Sequence, residues 1–359
     1  MGSPALIVRF EPLPGLAALE RRWRAVEATG APNFFTGWTW MGSWLRSTGA
    51  RPVLLSVRDD AGGEVGLALI GRSRDRRLLG RVATVRINEA GDADADRAFI
   101  EYNGPLCRAG QEEAVALAIG AALGGRPDWR AIRLSGVVPG HPLIGAIPAR
   151  RRILLDASPA YCVDLDAVRG ADGDYLSLLS ANSRNQIKRS AKDYSGPSRI
   201  LTAPDGATTA LWLAEMQALN SGRHADNAWD HASFRAFAAE IVRTGREDGS
   251  VELLRIEAGD RLLGYLITFL SEGRAMNYQS AFAEPVSPKA KPGLMAHAAA
   301  AAHYAAAGHS LYSLLAGKDR YKQSLSTGAE MLEWWMLERF SPVLEAEYWL
   351  RRVLKRGRT

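Results

Sequence analysis

Residues 287–308 read SPKAKPGLMAHAAAAAHYAAAG, a helix that carries its own start and stop signals. Pro292 suits a first helical position, where its missing N–H would have had no partner, and Gly308 suits the stop. Lys289 and Lys291 stand just ahead of the positive end of the helix dipole, and Gly293 leaves the backbone open to close approach. Free N–H groups, two cations and a glycine make a cradle for a pyrophosphate. Solvated lysines at an ordinary helix entry are the plain alternative. The alanines thin the helix for close packing on a sheet and need no other role.

Around this helix the apolar periodicity gives helices at 208–221 and 231–245, strands at 251–259, 261–270 and 274–282, then the helix itself, then strands at 310–317 and 330–340. The first half repeats the order with different residues. Helices are expected at 14–30 (PGLAALERRWRAVEATG) and 37–47 (GWTWMGSWLRS), and strands at 51–59, 63–73 and 81–87. A helix at 111–124 (QEEAVALAIGAALG) and strands at 129–137 and near YCVDL, 161–165, follow. DDAGG, 59–63, marks a hairpin, because Asp and Gly accept the positive φ of tight turns. Helix, helix, three strands, helix, strand, strand, written twice, predicts an α/β (α+β mixed sheet) fold in two tandem domains, residues 1–165 and 166–359, each a mixed sheet flanked by helices.

Composition agrees with two folded domains in 359 residues: apolar residues are 47% and charged residues 23%, which argues against a disordered or fibrous chain. Two cysteines, Cys107 and Cys162, show no metal spacing and read as reduced core thiols; no metal is expected. The longest apolar stretch is mostly alanine and contains His297 and His303, so no membrane span is expected, and a cytoplasmic protein is. The formal charge of +6 suits an anionic ligand and fits a nucleic-acid or membrane-surface partner equally well, so charge alone decides nothing. The basic tail WLRRVLKRGRT, 349–359, reads as a solvated terminus rather than an anchor. Between the halves, Arg184, Lys188 and Lys192 recur every four residues and share a helical face, either solvated or a basic wall for phosphates.

Three strings carry a resemblance: LLSANSRNQIKRSAKDY at 178–194, SPKAKPGLMAHAAAAAHYAAAGH at 287–309 and LLAGKDRYKQSLSTGAE at 314–330. Together they resemble the acyltransferase domain of CelD-type proteins associated with cellulose and exopolysaccharide biosynthesis, within the GNAT superfamily. Weaker similarity covers NFFTGWTWMGSWL, 33–45, and FIEYNGPLC, 99–107. The common GNAT phosphate loop runs Arg or Gln, two residues, Gly, one residue, Gly or Ala; here Lys289, Gly293 and Met295 surround Pro292.

The resemblance implies two GNAT-like domains and a direct transfer from acetyl-CoA or a longer acyl-CoA to an amine-bearing acceptor (amino sugar, amino acid or peptide). It places the thioester between splayed strands at 274–282 and 310–317, where a backbone N–H polarises its carbonyl. The cofactor-binding set is then Lys289, Lys291, Pro292, Gly293, Leu294 and Met295, with Tyr321 and Lys322. A base must take the amine proton and an acid must protonate the thiolate. Tyr278 is a candidate acid if it faces the cleft, since its alternation with Met276, Ser280 and Phe282 suits a core position equally. Asp319 is a candidate base, and so is His224, whose imidazole titrates near neutrality. Glu101 and Tyr102 are further candidates from the first half. Glu112 and Glu113 open the first-half helix where the second half has lysines just before it, so only the second half is expected to bind the thioester. Two rivals remain: a Fem-type aminoacyl transferase drawing on aminoacyl-tRNA, and a non-catalytic binding module. Nucleic acid is not the expected partner.

Overall fold

The computed structural model describes residues 6–223 and 226–356. It divides into a first unit of residues 1–157 with 332–359 and a second of 158–331. The sequence had set the division at 165/166 and given the last residues to the second half. Two long strands make the difference, because each starts in one unit and ends in the other.

The first unit contains β1 (Ile7–Glu11), α1 (Leu16–Glu27), α2 (Trp38–Thr48), β2 (Val53–Arg58), β3 (Glu64–Arg77), β4 (Gly80–Ile87), β5 (Leu106–Cys107), α3 (Glu112–Gly124), β6 (Ala131–Val137), α4 (Pro142–Ala146) and the start of β7 (Arg151–Asp164). The second contains the end of β7, α5 (Leu165–Gly170), α6 (Ala181–Lys192), β8 (Ser198–Thr202), α7 (Gly206–Asn220), α8 (Ala232–Asp248), β9 (Val251–Ala258), β10 (Arg261–Ser271), β11 (Arg274–Phe282), α9 (Pro292–Ala306), β12 (Leu311–Ala316), α10 (Arg320–Leu325) and the start of β13 (Gly328–Glu338). The rest of β13 and α11 (Pro342–Arg356) return to the first unit.

Local chemistry explains the elements. Along α1, Leu19, Trp23 and Val26 recur at helical spacing and are buried. At the β2–β3 turn Gly62 takes φ +83°, and the Asp59 carboxylate accepts from Gly63 N–H at 2.7 Å. Each sheet is antiparallel except at one step. In the first unit β4 runs parallel to β6, and in the second β11 runs parallel to β12, the join a crossover helix makes. The neighbours run β1-β2-β3-β4-β6-β13 in one unit and β8-β9-β10-β11-β12-β7 in the other. The duplicated order expected from sequence is therefore present, with one change: each sheet ends on the strand that the sequence reading gave to the other half, β13 in the first unit and β7 in the second. The edge strands β1 and β8, the short β5 and the helices α10 and α11 were not foreseen.

At the parallel step the units differ. In the first, Asn103 closes the gap: its backbone N–H donates to Gly136 C=O near the end of β6 at 3.1 Å, and its side-chain amide donates to Ile87 C=O at the end of β4 at 2.9 Å. Its Oδ1 accepts from the Asn88 side chain at 3.0 Å. Asn103 and Asn88 are both buried. Asn103→Ala leaves the Ile87 carbonyl and one Asn88 donor unpaired, so urea unfolding should show a loss of about 2 kcal/mol or more. A change below about 0.5 kcal/mol would mean water replaces the amide.

Candidate functional site

In the second unit the parallel pairing of β11 with β12 covers only residues 274–276 against 311–313. Two irregularities end it. Tyr278 is a bulge, because Ile267 of β10 pairs with Gln279 while Thr268 pairs with Asn277. On β12, Leu315 takes φ +57°, a conformation side chains rarely adopt and one that collects at functional sites. That kink turns two successive carbonyls the same way, so Lys322 Nζ meets Ala316 O at 2.7 Å and Leu315 O at 3.5 Å.

The bulge resets which face each β11 residue occupies. Tyr278 stacks on Phe269 at 4.6 Å between ring centroids and meets Phe234 and Phe237 of α8. Gln279, on the same side, accepts from Trp229 Nε1 at 3.1 Å. Phe282 instead turns to α9 and meets the His297 ring edge-on. Plain alternation had put Tyr278 and Phe282 on one face; the extra residue separates them.

The residues of the expected cradle stand at the first turn of α9 and in the loop before it. Lys289 and Lys291 are exposed, and Pro292 occupies the first helical position as expected. Leu294 and Met295 are buried, and their N–H groups both donate to Lys291 C=O. Lys291 N–H donates to Ser190 Oγ of α6 at 3.1 Å, and Ser287 Oγ donates to the Asp193 carboxylate at 2.5 Å. α6, with Lys188 and Lys192 exposed, thus lies beside the cradle. A Cβ on Gly293 would sit 3.0 Å from the Phe282 ring, so any side chain there requires the ring to give by a few tenths of an ångström.

One helical turn on, His297 is 1% exposed. Its Nδ1 lies 2.8 Å from the Tyr312 hydroxyl, its ring stacks on Tyr321, and its Nε2 is buried with no hydrogen-bond partner among the described residues. Burial, with the Lys322 charge nearby, pushes the imidazole down to about 3, so it is neutral. Tyr321, on α10, is 39% exposed. Burial of its phenol and the Asp319 carboxylate push it up to about 12. Asp319 stands at the N-cap of α10, where its carboxylate makes no capping bond, and shares the space beside Gly317 with Lys322. The Tyr175 hydroxyl donates to Leu325 C=O and pins the far end of that helix. The structure thus brings Gly293, Tyr321 and Lys322 together around His297 and Phe282, with Asp319 on the same short helix, and sets Tyr278 on the other sheet face.

Sequence reasoning passed over His297, although it lies four residues beyond Gly293 and so on the same face of α9. His224 lies outside the described residues. Tyr102, in the first unit, stacks on Phe35 and its carbonyl accepts from Asn33. Cys107 and Cys162 are both free and buried, and burial raises both thiols. Among the described residues no helix is long and apolar enough to cross a membrane.

The fold is mixed α/β and is shared over nearly the whole chain by solved proteins of low identity. FemX aligns with a TM-score of 0.57 at 10% identity, covering 95% of this chain and 99% of its own. A conserved protein of unknown function from Bacteroides thetaiotaomicron VPI-5482 aligns at 0.53 and 12%, covering 93% and 100%. L-PGS from Bacillus licheniformis aligns at 0.50 and 9%, covering 94% and 96%. At such identities the likeness concerns the fold. Residues 181–323, less than half of the chain, also match the family described as acetyltransferase (GNAT) domain. Among curated proteins none matches.

Proposed function

We propose that the chain transfers an acyl group from acetyl-CoA or a longer acyl-CoA to an amine, in the opening between β11 and β12. The observation that carries this reading is the contrast at the parallel step: pairing stops at Met276 and Ser313 in the second unit, while Asn103 bridges the corresponding strands in the first.

In this reading the pyrophosphate lies at the start of α9, met by Lys289 and Lys291, with Lys188 and Lys192 behind them. A backbone N–H of β11 beyond Met276 polarises the thioester carbonyl. The amine attacks that carbon, a C–N bond forms and the C–S bond breaks; the thiolate takes the Tyr321 proton, and Asp319 orients the amine and takes the proton it loses. Tyr321 replaces Tyr278 as the acid because its ring sits on His297, on the α9 side, whereas Tyr278 fills an aromatic cluster against α8.

Calorimetry of the full chain with acetyl-CoA, a longer acyl-CoA and free CoA is expected to give one site per chain. Two sites would put a second donor in the first unit, and no heat with any of the three would remove the reading.

A further inference from the structure

We propose that the outer end of the β3–β4 hairpin docks on a lipid bilayer carrying anionic headgroups. β3 outlasts its neighbours: its pairing with β2 stops at Ile70, and β4 takes up β6 only from Thr84. Residues 74–77 and 80–82 therefore pair with each other and, among the described residues, with no further strand. One face of this two-stranded arm is tied down. Val82 is buried with Ala131, Met336 and Leu344, Arg77 pairs with Glu338, and Asp75 pairs with Arg86 at 3.1 Å. The register puts Arg74, Arg76 and Arg81 on the opposite face, all exposed, with Arg76 directly across from Arg81.

Like charges set directly opposite one another weaken a strand pair, and among the described residues none of these three arginines meets an acid or a hydrogen-bond acceptor. The nearby acids are already held: Asp128 by Arg72 at 2.7 Å, and Glu338 by Arg151 at 3.1 Å as well as by Arg77. A face that costs the fold stability is matched by an anionic partner. The tip says which one. Leu78 and Leu79 make the turn, 52% and 43% exposed, and Gly80 after them takes φ +126°. Turns favour Asn, Asp, Gly and Ser, so local chemistry does not call for two leucines. A convex apolar tip with guanidinium groups behind it fits a bilayer, which parts to admit the leucines while its phosphate headgroups meet the arginines. An RNA backbone would take the arginines and leave the leucines in water. A second copy using the same face would set arginine against arginine.

The test is sedimentation of the full chain with vesicles of phosphatidylcholine alone or mixed equally with phosphatidylglycerol. Binding to the mixed vesicles is expected, falling as salt rises and weaker by about tenfold or more on phosphatidylcholine. Leu78→Asn with Leu79→Asn supplies residues that turns favour, so the hairpin should hold while binding weakens by about tenfold or more. Arg76→Glu should weaken binding by about fivefold or more and raise the melting temperature, because an opposite charge then faces Arg81. Opposed changes in stability and binding separate lost docking from lost folding. Absence of binding to the mixed vesicles, equal binding to both, or full binding by the leucine double variant overturns the proposal. So does tighter binding to a single-stranded RNA oligomer than to the mixed vesicles, which would make RNA the partner.

Discussion

Tyr321→Phe is expected to lower turnover by about one hundredfold or more while leaving acyl-CoA affinity unchanged, the range a positioned general acid contributes. The change removes a hydroxyl and keeps the ring that stacks on His297, so α9 and α10 should hold their places. Steady-state release of CoA, with an amine that wild-type protein accepts, gives the turnover, and calorimetry gives the affinity. The pH profile adds a second reading. Tyr321 sits above the ordinary phenol, at about 12, so it keeps its proton through neutral and mildly alkaline pH; His297, at about 3, is neutral throughout. Neither group should therefore bend the rate between about pH 6 and 9. Full activity in Tyr321→Phe would return the search for the acid to Tyr278, whose phenylalanine variant is its control.

Lys289→Glu with Lys291→Glu is expected to weaken acyl-CoA binding by about one hundredfold or more. A unit charge pair at about 4 Å is worth about 1 kcal/mol even at the dielectric of water, so each reversal swings the interaction by about 2 kcal/mol before salt reduces it. Both lysines are exposed, and the acids would sit just ahead of a helix start, where the dipole favours them, so the fold should persist. Calorimetry on the double variant decides: affinity within threefold of wild type would put the pyrophosphate elsewhere. Gly293→Glu is a poorer probe, because a side chain there crowds the Phe282 ring.

Much of the fold could be read from local chemistry. Pro292 begins α9 as expected, and the helix ends at Ala306, two residues before the glycine that signalled the stop. The Asp-Gly turn at 59–63 is a hairpin, and both crossover helices fall where the mixed sheets need them. What stayed hidden is non-local. A bulge adds one residue without changing composition, so alternation carried past Tyr278 assigned the wrong face to everything after it. The last strand of each sheet is chosen by pairing across about 150 residues of chain for β7 and about 200 for β13, and neither carries a local sign of where it will dock. In the site, lysines, glycine and tyrosine were visible as types, but the kink at Leu315 that aims two carbonyls at Lys322, and the orphan nitrogen of His297, exist only once α9, α10 and β12 are packed.

The traded final strands also set an order of completion during synthesis. Residues 158–331 form an uninterrupted run that includes the last strand of their own sheet, so that unit has every part it needs once residue 331 has left the ribosome. The first unit, although begun earlier, lacks the partner of β6 until residues 333–338 emerge. Until then β6 is an open edge with unpaired N–H and C=O groups, the kind of edge other chains can add to. The half made first is the half finished last, and the nascent chain is most exposed to misassociation in that interval.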